Sequence, residues 1–115
     1  MIEFVSNISY CDKDVKKMYP DLIKDEAHFI IRVEDKLFFE EPNFSIYEFM
    51  YFVDEWIEKK LDDMKYIAID TDDNPLISFI KDDGGYKINS PWQLFACEKL
   101  ITREEIEEAI LKLKK

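Results

Sequence analysis

Carboxylates dominate the side chains of this chain that could do chemistry. The run to weigh first is IDTDDNPLISFIKDDGGY, residues 69–86. Asp70, Asp72 and Asn74 alternate behind an apolar stretch, and Asp82-Asp83 follow. Oxygens at alternate positions can hold calcium or magnesium, and a strand-end Asp-x-Asp can attack a phosphate. A calcium loop of the EF-hand kind needs glycine at its sixth position and a bidentate glutamate at its twelfth. Here those positions are Pro75 and Lys81, and the flanks read as strands. The phosphatase arrangement of haloacid-dehalogenase type needs a loop and helix after the Asp-x-Asp strand. Here a second strand follows within six residues, and the later lysine and acidic motifs are not in usable order. A glycosyltransferase Asp-x-Asp fails on chain size. The remaining reading is a turn, since Asp and Asn bond their own backbone and Pro fixes a local bend.

Other chemistry is sparse. His28 is the only histidine, placed in a strand opposite Phe29 and Ile31, and one histidine makes no zinc site. Cys11 and Cys97 form no CxxC, and Cys97 reads as an inert, partly buried thiol. No nucleophile elbow is present for a serine triad. The only glycines are Gly84-Gly85, so a glycine-rich phosphate cradle is absent. The expectation is a non-enzyme with no cofactor and no metal.

The chain has 115 residues, which sets a single domain, 1–115, with a modest core. Acidic side chains outnumber basic ones 26 to 16, for a net charge of −10. Such a charge repels phosphate backbones and anionic lipid, and attracts a basic partner. The opening residues have no basic segment followed by an apolar run, no stretch is long enough to span a membrane, and the cysteines suit a reducing compartment. A cytoplasmic protein is the expectation.

Periodicity gives the elements that must position these acids. Residues 2–10 read as a strand and 12–19 as a short helix or turn closed by Pro20. AHFIIRV and LFFEE form a hairpin around a tight turn, EDK, at residues 34–36. Ser45 and Glu48 read as a capping box, with Phe44 and Phe49 as a hydrophobic staple. The helix they open carries Ile46, Phe49, Met50, Val53, Trp56, Ile57 and Leu61 on one stripe and ends near Asp62-Asp63. KYIAI, PLISFI and GYKIN are three short strands, and WQLFACEKL is either strand or loop. Thr102 and Glu105 cap a last helix with Ile106, Ala109, Ile110 and Leu113 inward.

The fold class these imply is α+β: a mostly antiparallel sheet of five or six strands with two main helices on one face. The strand at 65–69 is expected parallel to 37–41 through a right-handed crossover. That path gathers Glu34, Asp35, Asp62, Asp63, Asp82 and Asp83 at one end. Glu40, Glu41, Asp70, Asp72 and Asp73 fall at the other. Tyr86 and Trp92 lie off the main stripes, with Phe38, Tyr47 and Tyr51, as interface anchors or a second packing layer.

The helix FSIYEFMYFVDEWI, the pair PLISFI and GYKINSPWQLF, and the end LITREEIEEAILKL, in this element order, resemble small immunity proteins of bacterial toxin systems. The resemblance covers roughly residues 27–115 and has no diagnostic motif. It implies a cytosolic protein that binds and neutralises a cognate toxin domain, often a nuclease. The partner would then be a basic protein, met through Glu34, Asp35, Asp62, Asp63, Asp82, Asp83, Tyr86 and Trp92. An acidic regulatory or adaptor module without a toxin partner is the alternative.

Overall fold

A computed structural model describes residues 1–7 and 26–114. The expected helix or turn at 12–19, residues 8–10 of the first strand, and Cys11 lie outside the described residues. The described chain runs β1 (Ile2–Ser6), β2 (Ala27–Val33), β3 (Lys36–Phe44), α1 (Ile46–Glu58), β4 (Met64–Tyr66), β5 (Ile77–Asp82), β6 (Gly85–Asn89) and α2 (Arg103–Leu113). The class is α+β, as expected.

The six strands form two antiparallel sheets, ordered β1-β2-β3 and β4-β5-β6, and not one. The expected parallel neighbour of β3 is therefore wrong, and two local causes are visible. The Leu94 N–H donates to Phe38 O at 2.8 Å, so the segment after β6 lies on the β3 edge where β4 was placed. The expected strand 65–69 also stops pairing after Tyr66. Asn74 replaces a neighbouring strand for Ala68: its side chain accepts from the Ala68 N–H at 2.8 Å and donates to Ala68 O at 3.0 Å. The outer edge of β6 is covered by Ile101, which exchanges two backbone hydrogen bonds with Tyr86. Such covered edges resist pairing with other chains.

The hairpin turns do without glycine where they can. Glu34 and Asp35 both take positive φ, 52° and 66°, the primed turn that suits the twist of a two-residue hairpin. Gly84 supplies the positive φ in the β5–β6 turn, and a side chain on Gly85 would meet Ile101 O at 3.0 Å.

α1 buries its expected stripe from Ile46 to Trp56, and the Phe44–Phe49 staple is present, with ring centroids 5.6 Å apart. The capping box is not formed: Ser45 caps no backbone N–H, and Glu48 turns into the interior. The helix also stops at Glu58, short of the expected end. Lys60 adopts φ 52°, and Lys60 N and Leu61 N bond back to Ile57 O and Trp56 O. This is a Schellman closure without glycine, and it leaves Leu61 exposed. α2 has the capping box that Thr102 and Glu105 signalled.

α1 packs against β4 and α2 against β1. Between them Phe29, Phe44, Phe49 and Tyr66 make an aromatic cluster, and Trp56 packs edge-on to Phe79 and Tyr86. Arg103 joins the helices: its guanidinium lies 4.0 Å from the Trp56 ring centre and donates to Trp56 O, Leu61 O and the Tyr86 hydroxyl.

Candidate docking site

The two ends of α1 mark two acidic regions, separated by a thirteen-residue helix or roughly 20 Å. At its C-terminal end, Asp62, Asp63, Asp82 and Asp83 do come together. Lys81 is the hub. Its ammonium pairs with Asp62 at 3.3 Å and its backbone N–H donates to Asp63 at 2.7 Å. Asp82 accepts from the Asp83 N–H. Lys60, Lys81 and Arg103 share an open depression there with Asp62 and Glu107. Glu34 is held separately, by the Lys99 ammonium and the Met1 amino group. Those two cations pull its carboxyl down to about 2, the Lys99 hydrogen bond first. Asp62 and Glu34 are therefore held in internal ion pairs, while Asp63 and Asp82 accept only backbone N–H groups.

Tyr86 is not a surface anchor. It is 6 % exposed, its ring lies against Trp56 and its hydroxyl accepts from Arg103. Phe38 and Tyr47, also off the stripes, are fully buried. The packing alternative is the correct one for these three. Trp92 is partly exposed, but it belongs to the opposite end. Its ring stacks on Phe39 at 6.3 Å and its indole N–H donates to Asp73 at 2.9 Å.

That opposite end is built from β3's last residues, the α1 N-terminus, the 67–75 loop and Trp92. The loop has the turn chemistry expected of it. The Asp73 N–H donates to the Thr71 hydroxyl, Asn74 N–H to Asp72 O, and the Asn74 amide to Thr71 O. Among the described residues no three His, Cys, Asp or Glu side chains are grouped to hold a metal ion. A recess of about 120 Å³ opens between Phe44, Tyr66, Leu76 and Trp92, with Glu41 and Asp70 on its wall. Glu41 accepts from the Asn43 N–H and Asp70 from the Ser45 hydroxyl. Among the described residues neither acid, nor Asp72 nor Asp73, has a cationic partner, and no lysine or arginine lines the recess.

Behind it, Glu48 is 1 % exposed. One of its oxygens accepts from the Tyr66 hydroxyl at 2.6 Å and the Ile69 N–H at 3.3 Å, and the other has no partner. Glu41, Asn43, Ser45 and Glu48 were not among the expected site residues. Glu48 was hidden by its fit to a capping box. Glu41 was placed at this end by the strand trace but passed over for the denser acidic turns.

Elsewhere, His28 is partly exposed and pairs with Glu40 at 2.5 Å across the hairpin. The Cys97 thiol is buried and donates to Lys99 O at 3.6 Å. No described helix is long and apolar enough to cross a membrane.

Fold and site together define a small α+β domain whose polar clusters are turns, ion-pair seams and one acid-lined aromatic recess. Its whole length, residues 1–115, matches the family described as a domain of unknown function (DUF7878), and the chain belongs to that family. No match was found among curated proteins or among solved structures.

Proposed function

We propose that this chain is a non-catalytic binding module of the immunity kind, which docks a basic protein, a toxin domain being the leading case, and inhibits it by occlusion. The observation that carries the reading is the uncompensated charge at the α1 N-terminal end: Glu41, Asp70, Asp72 and Asp73 have no cationic partner among the described residues. Like charges gathered without counter-charges cost stability through repulsion, and a basic partner would recover that cost. Ile67 and Ile69 beside this loop are 46 % and 70 % exposed, and apolar side chains next to acids are usual at interfaces. A nuclease cleft that accepts phosphates would accept such carboxylates, and opposite fields would speed encounter. The site of action would be the cytosol. The edge at Asp62, Asp63, Asp82 and Asp83 is the competing surface within the same reading.

Co-purification with the product of the adjacent gene tests the proposal. A stoichiometric complex whose association slows steeply with salt is the expected result, because screening shortens to ~8 Å near physiological ionic strength. A salt-independent complex, or a partner that is not basic, would overturn it.

A further inference from the structure

Resting on that reading, we propose that the recess between β3 and the 66–71 segment is a socket for one cationic side chain, lysine or arginine, of the basic partner.

Size is the first argument. At about 120 Å³ the recess is far below the ~300 Å³ at which pockets for drug-sized molecules begin. It has room for a side-chain tip and not for a nucleotide or cofactor. The walls are the second. Phe44, Tyr66 and Trp92 offer aromatic surface, and a cation held against tryptophan is the strongest of the cation–aromatic contacts. Trp92 is already fixed, stacked on Phe39 and tied to Asp73, so little ordering is needed when a guest arrives. Glu41 and Asp70 supply carboxylate oxygens to an ammonium or guanidinium.

The third argument is the charge around the recess. Glu48 keeps one buried oxygen without a hydrogen-bond partner. It is bonded to Tyr66, which lines the recess, and to Ile69, whose neighbours Ala68 and Asp70 line it. A buried acceptor left unmade costs free energy. An anion would meet Glu41 and Asp70 at the mouth, and a neutral apolar side chain would leave both acids unanswered.

The test uses Nα-acetyl-lysine amide and Nα-acetyl-arginine amide as probes, followed by NMR of the full chain. The two tryptophans report on the two ends. Trp92's indole N–H is at the recess, and Trp56's donates to Asp62 O at the far end. The Trp92 indole signal should shift with a Kd near about 1 mM, the scale for so few atoms, while the Trp56 signal stays still. Nα,Nε-diacetyl-lysine amide, which has no charge, should do nothing. Asp70→Asn should weaken binding at least fivefold with unchanged thermal unfolding. An unmoved Trp92 signal, equal movement of Trp56, or an unaltered titration in Asp70→Asn would overturn the socket.

A decalysine peptide at near-physiological salt separates this from the broader reading. Binding that survives Asp70→Asn but is lost in Asp62→Asn/Asp82→Asn removes the socket and leaves acidic docking at the other edge. No binding of decalysine to the wild type removes both.

Discussion

The two ends of α1 carry similar numbers of carboxylates and use them differently. At the C-terminal end, cations have been drawn in. The Lys81 ammonium serves Asp62, Lys99 and the Met1 amino group serve Glu34, and Arg103 sits among Trp56, Leu61 and Glu107, while Asp63 and Asp82 take only backbone N–H donors. Arg103 closes a seam between α1, α2 and β6. At the N-terminal end Glu41, Asp70 and Asp73 take only neutral donors: the Asn43 N–H, the Ser45 hydroxyl, the Trp92 indole. Acid count alone therefore does not locate a docking surface. What distinguishes a structural acid from an available one is whether the fold has supplied its counter-charge.

The seam should be the more sensitive end to substitution, and Trp56 is its centre. It is fully buried against Phe79 and Tyr86 and lies under Arg103. Trp56→Ala should cost about 3–5 kcal/mol, read as the loss of cooperative unfolding or a large fall in denaturant midpoint. Arg103→Met, which keeps the stem but not the fork, should cost about 2–3 kcal/mol by leaving Trp56 O, Leu61 O and the Tyr86 hydroxyl without their charged donor. Arg103→Lys should recover little, since an ammonium cannot reach the same acceptors in one plane. A wild-type midpoint for Arg103→Met would show that the seam is held by packing alone.

Helix α2 and the main buried stripe of α1 were legible because their signals were local. A capping box spans only a few residues, and apolar spacing is read within one helix. The split into two sheets was not legible, because it depends on contacts far apart in sequence: Leu94 on the edge of β3, Ile101 on the edge of β6. Glu48 shows how one local pattern can conceal another. Its spacing from Ser45 fits a cap, but Tyr66, eighteen residues on, offers a buried hydroxyl at 2.6 Å. The site was half legible. Asp62, Asp63, Asp82 and Asp83 do gather as the turn tracing implied. The pairing of Asp62 with Lys81 and the burial of Tyr86 are properties of packing that no count of charges reveals.

The N-terminal end can be challenged through Asn74, whose side chain replaces a missing strand for Ala68. Asn74→Ala leaves that backbone pair without partners in a half-buried setting and should cost about 1–3 kcal/mol. Amide exchange at Ala68 should accelerate more than at Phe79. Equal protection in the variant would mean that another group holds the loop.

Smaller still is the contrast in charge removal. Asp63→Ala takes away the acceptor of the Lys81 N–H and should lower stability by about 1 kcal/mol. Asp70→Asn with Asp72→Asn should leave unfolding unchanged or raise it by about a few tenths of a kcal/mol. Repulsion is relieved, and the amide oxygen that replaces the Asp70 carboxylate still accepts from the Ser45 hydroxyl. If both sets of changes destabilise alike, the N-terminal acids have structural partners too, and the case for their availability falls.

The smallest effect concerns pH, and it belongs to the Glu34–Lys99 pair. Glu34 is held at about 2, below the ordinary value of 4.5, first by its hydrogen bond to Lys99 and then by the Met1 amino group. A carboxyl lowered on folding stabilises the folded state above its unfolded value, and that contribution disappears as pH falls towards the folded one. The window is therefore 4.5 down to about 2. Lys99 is raised above 10.5 by the same pair, so its share persists at neutral pH and is lost only as pH climbs past that value. Both groups face solvent, so the effect is small and weakens with salt. In Glu34→Gln, thermal midpoints between pH 4.5 and about 2 should fall less steeply than in the wild type, with the difference narrowing at high salt. Parallel pH profiles for the two proteins would show that this pair contributes nothing net. The Glu34 carboxylate would then be as available to a basic partner as those beside Trp92.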